Sequence, residues 1–227
     1  MIRLIVVASY NEARKILRLN PNAQKFMVKG YEAWRINDNC YFSVLGIGKV
    51  TFAIGVQSMI DYFLPNIIYS IGFAGAVGRS LKVFDKVIVR ETYQYDVISS
   101  KEFFSTNSNV ETRRLRHYYT EKFLLDTILE NNSFRNIKPV IMVTGDNFLK
   151  QWEIIDDKRE YVAADQETCS LYQVCFFNNI PCVTLKIITD ACDEKSFEIY
   201  EENVEEAGQH LLKLYENLLD LEVKGKW

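Results

Sequence analysis

Hydrophobic positions along the chain change their spacing in a regular way, and that spacing sorts most of the sequence into elements. Residues 2–8, apolar except for Arg3, predict a buried strand. Asn11 opens a short helix through Glu12 to Leu17. Alternating runs at 25–29, 31–36 and 40–45 predict a meander, with Gly30 and Asn37-Asp38-Asn39 as turns. Lys49 to Phe63 is helical and apolar on nearly all sides, which predicts a buried helix. Pro65-Asn66 stops it, and Ile67–Ile71 begins a buried strand ending in the small-residue stretch Gly72–Gly78, read as a loop. Strands are predicted at Lys86–Tyr93 and Ile137–Thr144, helices at 120–131 and 166–178, and a long loop at 97–117. Pro181–Asp190 is a β-branched strand that runs straight into an acid. Phe197, Tyr200, Val204, Ala207, Leu211, Leu214, Leu218 and Leu221 recur at steps of three and four, the stripe of an amphipathic helix. Strands alternate with helices after the meander and no stretch has linker composition. The expectation is an α/β fold around a mixed sheet, one domain over residues 1–227.

Composition narrows the functional classes. The formal net charge of −3 disfavours nucleic acid and anionic membranes as partners. Lys49, Asp61, Lys82 and Lys186 interrupt the best apolar runs, so no membrane span is expected. Five cysteines without a CxxC pair point to a reducing cytoplasm rather than a disulfide scaffold. Two histidines leave little for a His-based metal site or triad, and no metal or cofactor is expected.

Candidate chemistry lies at the predicted strand ends. Gly46-Ile47-Gly48, Gly72-Phe73-Ala74-Gly75 and Thr144-Gly145-Asp146 each follow a strand, where open α/β sheets bind ligands. The first is neither a dinucleotide fingerprint, lacking a third Gly, nor a P-loop. Four carboxylates occupy comparable places: Glu12, Asp165, Glu167 and Asp190. Taken singly, Glu12, Asp165 and Glu167 read as first-turn acids complementing helix dipoles, and Asp190 as the cap of the next helix. A carboxyl at the end of a buried strand also has the makings of a general acid, because burial favours its protonated form.

Five segments in order resemble successive motifs of the nucleoside phosphorylase superfamily, most closely its 5′-methylthioadenosine/S-adenosylhomocysteine nucleosidases. They are Leu45–Val50, Ile71–Ala76, Thr144–Leu149, Asp165–Thr168 and Ile188–Asp193. The resemblance implies a three-layer nucleoside phosphorylase-like fold, a mixed sheet flanked by helices. It implies hydrolysis of the N-glycosidic bond with release of adenine, in methionine salvage, without metal or cofactor. Asp190 corresponds to the general acid at purine N7, Glu12 to the acid that activates water, and Glu167 to the residue that holds the ribose hydroxyls. Thr189 supports acid and base, Phe148 stacks on adenine, and the Leu149 backbone reads its Watson–Crick edge. Ile47, Phe73 and Gly75 line the cavity. Gln166 stands where the family usually has a Met, and Phe73 where a smaller residue is common; both bear on substrate identity. The family's phosphorylases typically carry an arginine near the first-strand loop, whereas Ala8-Ser9-Tyr10-Asn11 has none and Glu12 disfavours phosphate. A phosphate-dependent phosphorylase, a hydrolase of nucleosides with larger 5′ groups such as futalosine, and a non-catalytic nucleoside-binding relative are the alternatives. The resemblance also implies a homodimer whose partner walls the 5′ pocket from around 97–105, with Val97, Phe103 and Phe104 as candidates. Phe197 and Tyr200 fit either a lid or the core stripe, and the core reading is preferred for Tyr200.

Overall fold

Leu4 and Val6 pack into one apolar cluster while Ile5 and Val7 pack into another, so the first strand has a helical layer on each face. The computed structural model describes residues 1–97, 117–155, 157 and 159–223. Within them the strands are β1 (Arg3–Val7), β2 (Gln24–Val28), β3 (Tyr31–Asn37), β4 (Cys40–Val44), β5 (Ile67–Val77), β6 (Lys86–Gln94), β7 (Tyr118–Tyr119), β8 (Lys138–Thr144), β9 (Val162–Asp165) and β10 (Cys182–Asp190). The helices are α1 (Tyr10–Leu19), α2 (Lys49–Phe63), α3 (Lys122–Leu129), α4 (Thr168–Asn178) and α5 (Ser196–Leu219). Phe52, Val56 and Met59 of α2 and Leu171 and Tyr172 of α4 fill one layer. Ile16 of α1, Leu124 of α3 and Leu211, Leu214 and Leu218 of α5 fill the other. Burying these side chains stabilises the fold by about 1.5–3 kcal/mol each before entropy is counted.

The strands form one mixed sheet in the order β10-β6-β8-β9-β5-β1-β4-β3-β2, with β7 beside β6. β10 also pairs with β5, which closes β10, β6, β8, β9 and β5 into a ring. β10 runs parallel to β5 and β9 runs antiparallel to it. Their carboxyl ends therefore meet from opposite directions at one residue: Gly75 pairs with Asp190 on one side and Ala164 on the other.

Three expectations are corrected here. Gly72–Val77 is not a loop but the second half of β5, buried throughout. Its glycines supply space rather than a turn. A Cβ on Gly72 would collide with Glu12 Oε1 and lie 3.0 Å from Lys186 Nζ; on Gly75 it would collide with Cys192 Sγ and approach Asp190 Oδ1 to 2.7 Å. Second, α2 is not buried on all sides, since Val50, Ile54 and Tyr62 are exposed. Third, α4 starts at Thr168, after the short strand β9 that the apolar pattern hides. The region around Phe103 and Phe104 lies outside the described residues.

Gly72→Ala is expected to lower stability by about 1–3 kcal/mol, because the hydrogen-bonded Glu12 carboxylate and the buried Lys186 ammonium must shift. Thermal unfolding measures this, and an unchanged midpoint would contradict the close packing of β5 on Glu12.

Candidate active site

Strand ends and helix starts bring the acids to one place. Ser9 caps α1, and Glu12 closes a capping box with it. Glu12 does more than complement the helix. Its Oε2 accepts from the N–H of Ala8 (2.9 Å) and Ser9 (2.8 Å), and its Oε1 accepts from the N–H of Phe73 on β5 (2.8 Å). The carboxylate is thus fixed between two strands.

Glu167 takes the N-cap position of α4 but makes no capping bond. Instead its Oε1 accepts from the N–H of Gly48 at 3.1 Å. Gly46 and Gly48 have φ of 89° and 95°, a conformation glycine adopts freely, and this aims the Gly48 N–H across the cleft. Asp165 behaves as the bland reading expects. It accepts from the Thr168 N–H at the start of α4 and from the Thr144 hydroxyl at 2.8 Å.

Lys186 lies beneath these acids, fully buried on β10, with Nζ 3.3 Å from Asp165 Oδ2 and 3.9 Å from Glu167 Oε2. Burial alone would lower its pKa, but the carboxylates of Asp165, Glu12 and Glu167 outweigh this and hold it above the usual lysine range. One ammonium cannot balance three carboxylates. Glu167 is pushed up to about 8, chiefly by burial, with Lys186 opposing and Asp165 and Glu12 adding to the rise.

Asp190 ends β10 and is 3% exposed. It does not cap the next helix, since α5 starts at Ser196 with Lys195 as its N-cap. Its Oδ1 accepts from the Cys192 N–H and its Oδ2 from the Thr189 hydroxyl, both at 3.0 Å. Burial raises its pKa, and these bonds, with one from Ser196, only partly offset the rise.

A cavity of about 290 Å³ opens among these groups. Every site residue expected from the sequence lines it: Glu12, Ile47, Phe73, Gly75, Phe148, Leu149, Gln166, Glu167, Thr189 and Asp190. Four aromatic rings crowd one side, with Phe73 against Tyr200 at 6.2 Å, and Phe148 against Phe197 at 6.0 Å and Tyr200 at 6.2 Å, all edge to face. Tyr200 packs against the core cluster, as its place in the helical stripe suggested, and also borders the cavity; its hydroxyl accepts from the Asn11 amide at 3.2 Å. The Gln166 amide finds its partner in the Asp146 carbonyl at 2.8 Å.

The sequence profile of the phosphorylase superfamily matches residues 3–220. The chain belongs to this superfamily. It is 29% identical over 186 residues to a 5′-methylthioadenosine/S-adenosylhomocysteine nucleosidase of Buchnera aphidicola subsp. Acyrthosiphon pisum, covering 78% of this chain and 79% of that protein. It is also similar to the Streptococcus pneumoniae MTA/SAH nucleosidase solved with 8-aminoadenine, at 25% identity and TM-score 0.81 over 95% of this chain and 99% of that one. The native Helicobacter pylori futalosine hydrolase superposes with TM-score 0.86 at 22% identity, covering 96% of this chain and 97% of that one. Solved structures named for different nucleosides thus share this fold, and the fold alone does not select the nucleoside.

Lys186 beneath the site, and Ser9 on its wall, are site residues that lie outside the five motifs. The signal for Lys186 was present: a lone cation inside the apolar run Val183–Ile188 requires a buried counter-charge.

A carboxyl whose pKa rises on folding binds more protons in the folded state, so its contribution to stability falls as pH rises from its unfolded value through its folded one. For Glu167 that window is 4.5 to about 8. Glu167→Gln should therefore flatten the loss of stability between those limits and be more stable than the parent at the upper one. Denaturant melts across the window test this, and parallel curves for parent and variant would refute it.

Proposed function

We propose that this protein hydrolyses the N-glycosidic bond of 5′-methylthioadenosine and/or S-adenosylhomocysteine, releasing adenine and the 5′-thioribose product. The observation that carries the reading is the buried Asp190, biased toward its protonated form, in one cavity with Glu12 and Glu167. Asp190 gives its proton to N7 of the purine as the bond breaks, so adenine leaves neutral. Thr189 orients it through the bond to Oδ2. Glu12, held by backbone N–H groups, takes a proton from the attacking water. The two roles fall to separate carboxyl groups, as in two-carboxylate glycoside hydrolysis.

Glu167 accepts from the ribose hydroxyls and opposes the oxocarbenium charge. Two hydroxyl donors and the Lys186 ammonium favour its ionised form, so substrate binding draws the proton off this group. Phe148 stacks on adenine, Leu149 offers its backbone to the base edge, and Ile47, Phe73 and Gly75 shape the walls. Gln166 spends its amide on Asp146 and leaves its carbonyl for the sugar. Among the described residues, the cavity lining includes no lysine or arginine, and Glu12 stands where a phosphate nucleophile would need a cation. That favours water over phosphate.

A homodimer fits the outer face of α2. Val50, Ile54 and Tyr62 are exposed there, with Phe176 and Phe177 exposed on α4, the helix packed beside α2. Five free buried cysteines suit a reducing cytoplasm. Among the described residues, no helix is long and apolar enough to cross a membrane.

Incubation with methylthioadenosine in phosphate-free buffer should release adenine, and strict dependence on phosphate would sink the hydrolase reading. Asp190→Asn should lower release by about 10²–10⁴-fold with the circular dichroism unchanged. In the parent, turnover should fall as pH rises through the raised pKa of Asp190, since the acid form is consumed. Ile54→Lys is expected to convert the dimer to a monomer in sedimentation analysis. A parent protein already monomeric at micromolar concentration would remove the assembly from the proposal.

A further inference from the structure

One charged cluster borders the cavity without lining it. Lys49 is the first residue of α2, directly after the turn whose Gly48 N–H reaches Glu167. Its side chain is only 14% exposed. Nζ lies 2.7 and 2.9 Å from the two carboxylate oxygens of Asp96, 3.1 Å from Gln94 Oε1 and 3.4 Å from Asp146 Oδ2. The Lys49 backbone N–H donates to Asp146 Oδ1 at 3.3 Å, and the Asp146 N–H donates to Asp96 Oδ2 at 2.9 Å. Gln166 holds the Asp146 carbonyl from the other side. Asp146 is thus fixed through its N–H, its carbonyl and its carboxylate. The next three residues, Asn147, Phe148 and Leu149, all line the cavity.

We propose that the Lys49–Asp96 ion pair is a positioning device that clamps the loop 145–149 onto the turn 46–48, and so sets how well adenine is held. This rests on the reading of the cavity as an adenine nucleoside site. Two features separate the pair from an ordinary surface bridge. Both partners are largely buried, with side chains 14% and 22% exposed, so water screens them weakly. Without the ammonium, Asp96 and Asp146 are like charges joined through two backbone N–H groups, that of Asp146 on Asp96 and that of Lys49 on Asp146. The loop then relaxes away from α2 and carries Phe148 and Leu149 with it. None of the cluster touches the carboxyl groups assigned to bond cleavage, so the effect belongs to binding.

The test compares Lys49→Met, Lys49→Arg and Asp96→Asn with the parent. It reads kcat and KM on methylthioadenosine, the Kd for adenine by calorimetry, and the thermal midpoint. Lys49→Met should raise KM and the adenine Kd by about tenfold while kcat changes less than about threefold. Lys49→Arg should restore most of the loss. Asp96→Asn should act like Lys49→Met, and the double variant should be no worse than either single one. A folded Lys49→Met protein with parental KM and adenine Kd overturns the proposal, as does a loss confined to kcat. If Lys49→Met does not fold, the same criteria apply to Asp96→Asn. A parent that releases no adenine refutes the hydrolase reading alone, because the adenine Kd values of the variants still decide the clamp.

Discussion

The buried ammonium of Lys186 makes the site possible. Glu12, Asp165 and Glu167 are each less than a tenth exposed, and three carboxyl groups at that depth repel one another and resist desolvation. One lysine reaching up from β10 supplies the counter-charge, and backbone N–H groups of Ala8, Ser9, Phe73 and Gly48 supply the rest. The approach is feasible only because Gly72 has no side chain between Glu12 and Lys186. The capping box of α1, the glycine turn before α2 and the glycines of β5 therefore serve one electrostatic arrangement.

Asp190 belongs to a different environment within the same cavity. Burial is the chief cause of its raised pKa, with a smaller push from Asp193. The opposed directions of β10 and β9 explain how two such environments share one cleft. β10 delivers Asp190 to one side of Gly75, and β9 passes on the other side with Ala164 before the chain reaches Glu167. A cavity with an acid biased toward its protonated form on one wall and carboxyl groups beside a buried cation on the other suits a bond that breaks toward a base and a cationic sugar.

Much of this was legible in the sequence, for identifiable reasons. Lys49–Phe63 shows the same boundaries in pattern and structure, since Gly48 and Pro65 punctuate both ends. The β2-β3-β4 meander follows its alternation and turns. The strand character of Gly72–Val77 was hidden because small residues mark a loop and a crowded strand alike, and only tertiary neighbours distinguish them. β9 was hidden because four residues carry no period of their own. The acids were visible as candidates, but their meeting depends on strand directions that no local pattern encodes. The same holds for Tyr200, whose helical stripe continues unbroken to the rim of the cavity.

The closure of the five-stranded ring has a further consequence, for biosynthesis. The contact that closes it joins β5 to β10, segments far apart in the chain, and the cavity stands on that contact. Glu12 emerges early from the ribosome and Asp190 late. Until β10 is made, Glu12, Asp165 and Glu167 have no Lys186 to oppose their charge, and the groove that will hold a ligand has no floor. Such long-range pairing is slow to form and leaves the strands beside it exposed meanwhile. The cavity is thus complete only once β10 has been made and has paired with β5.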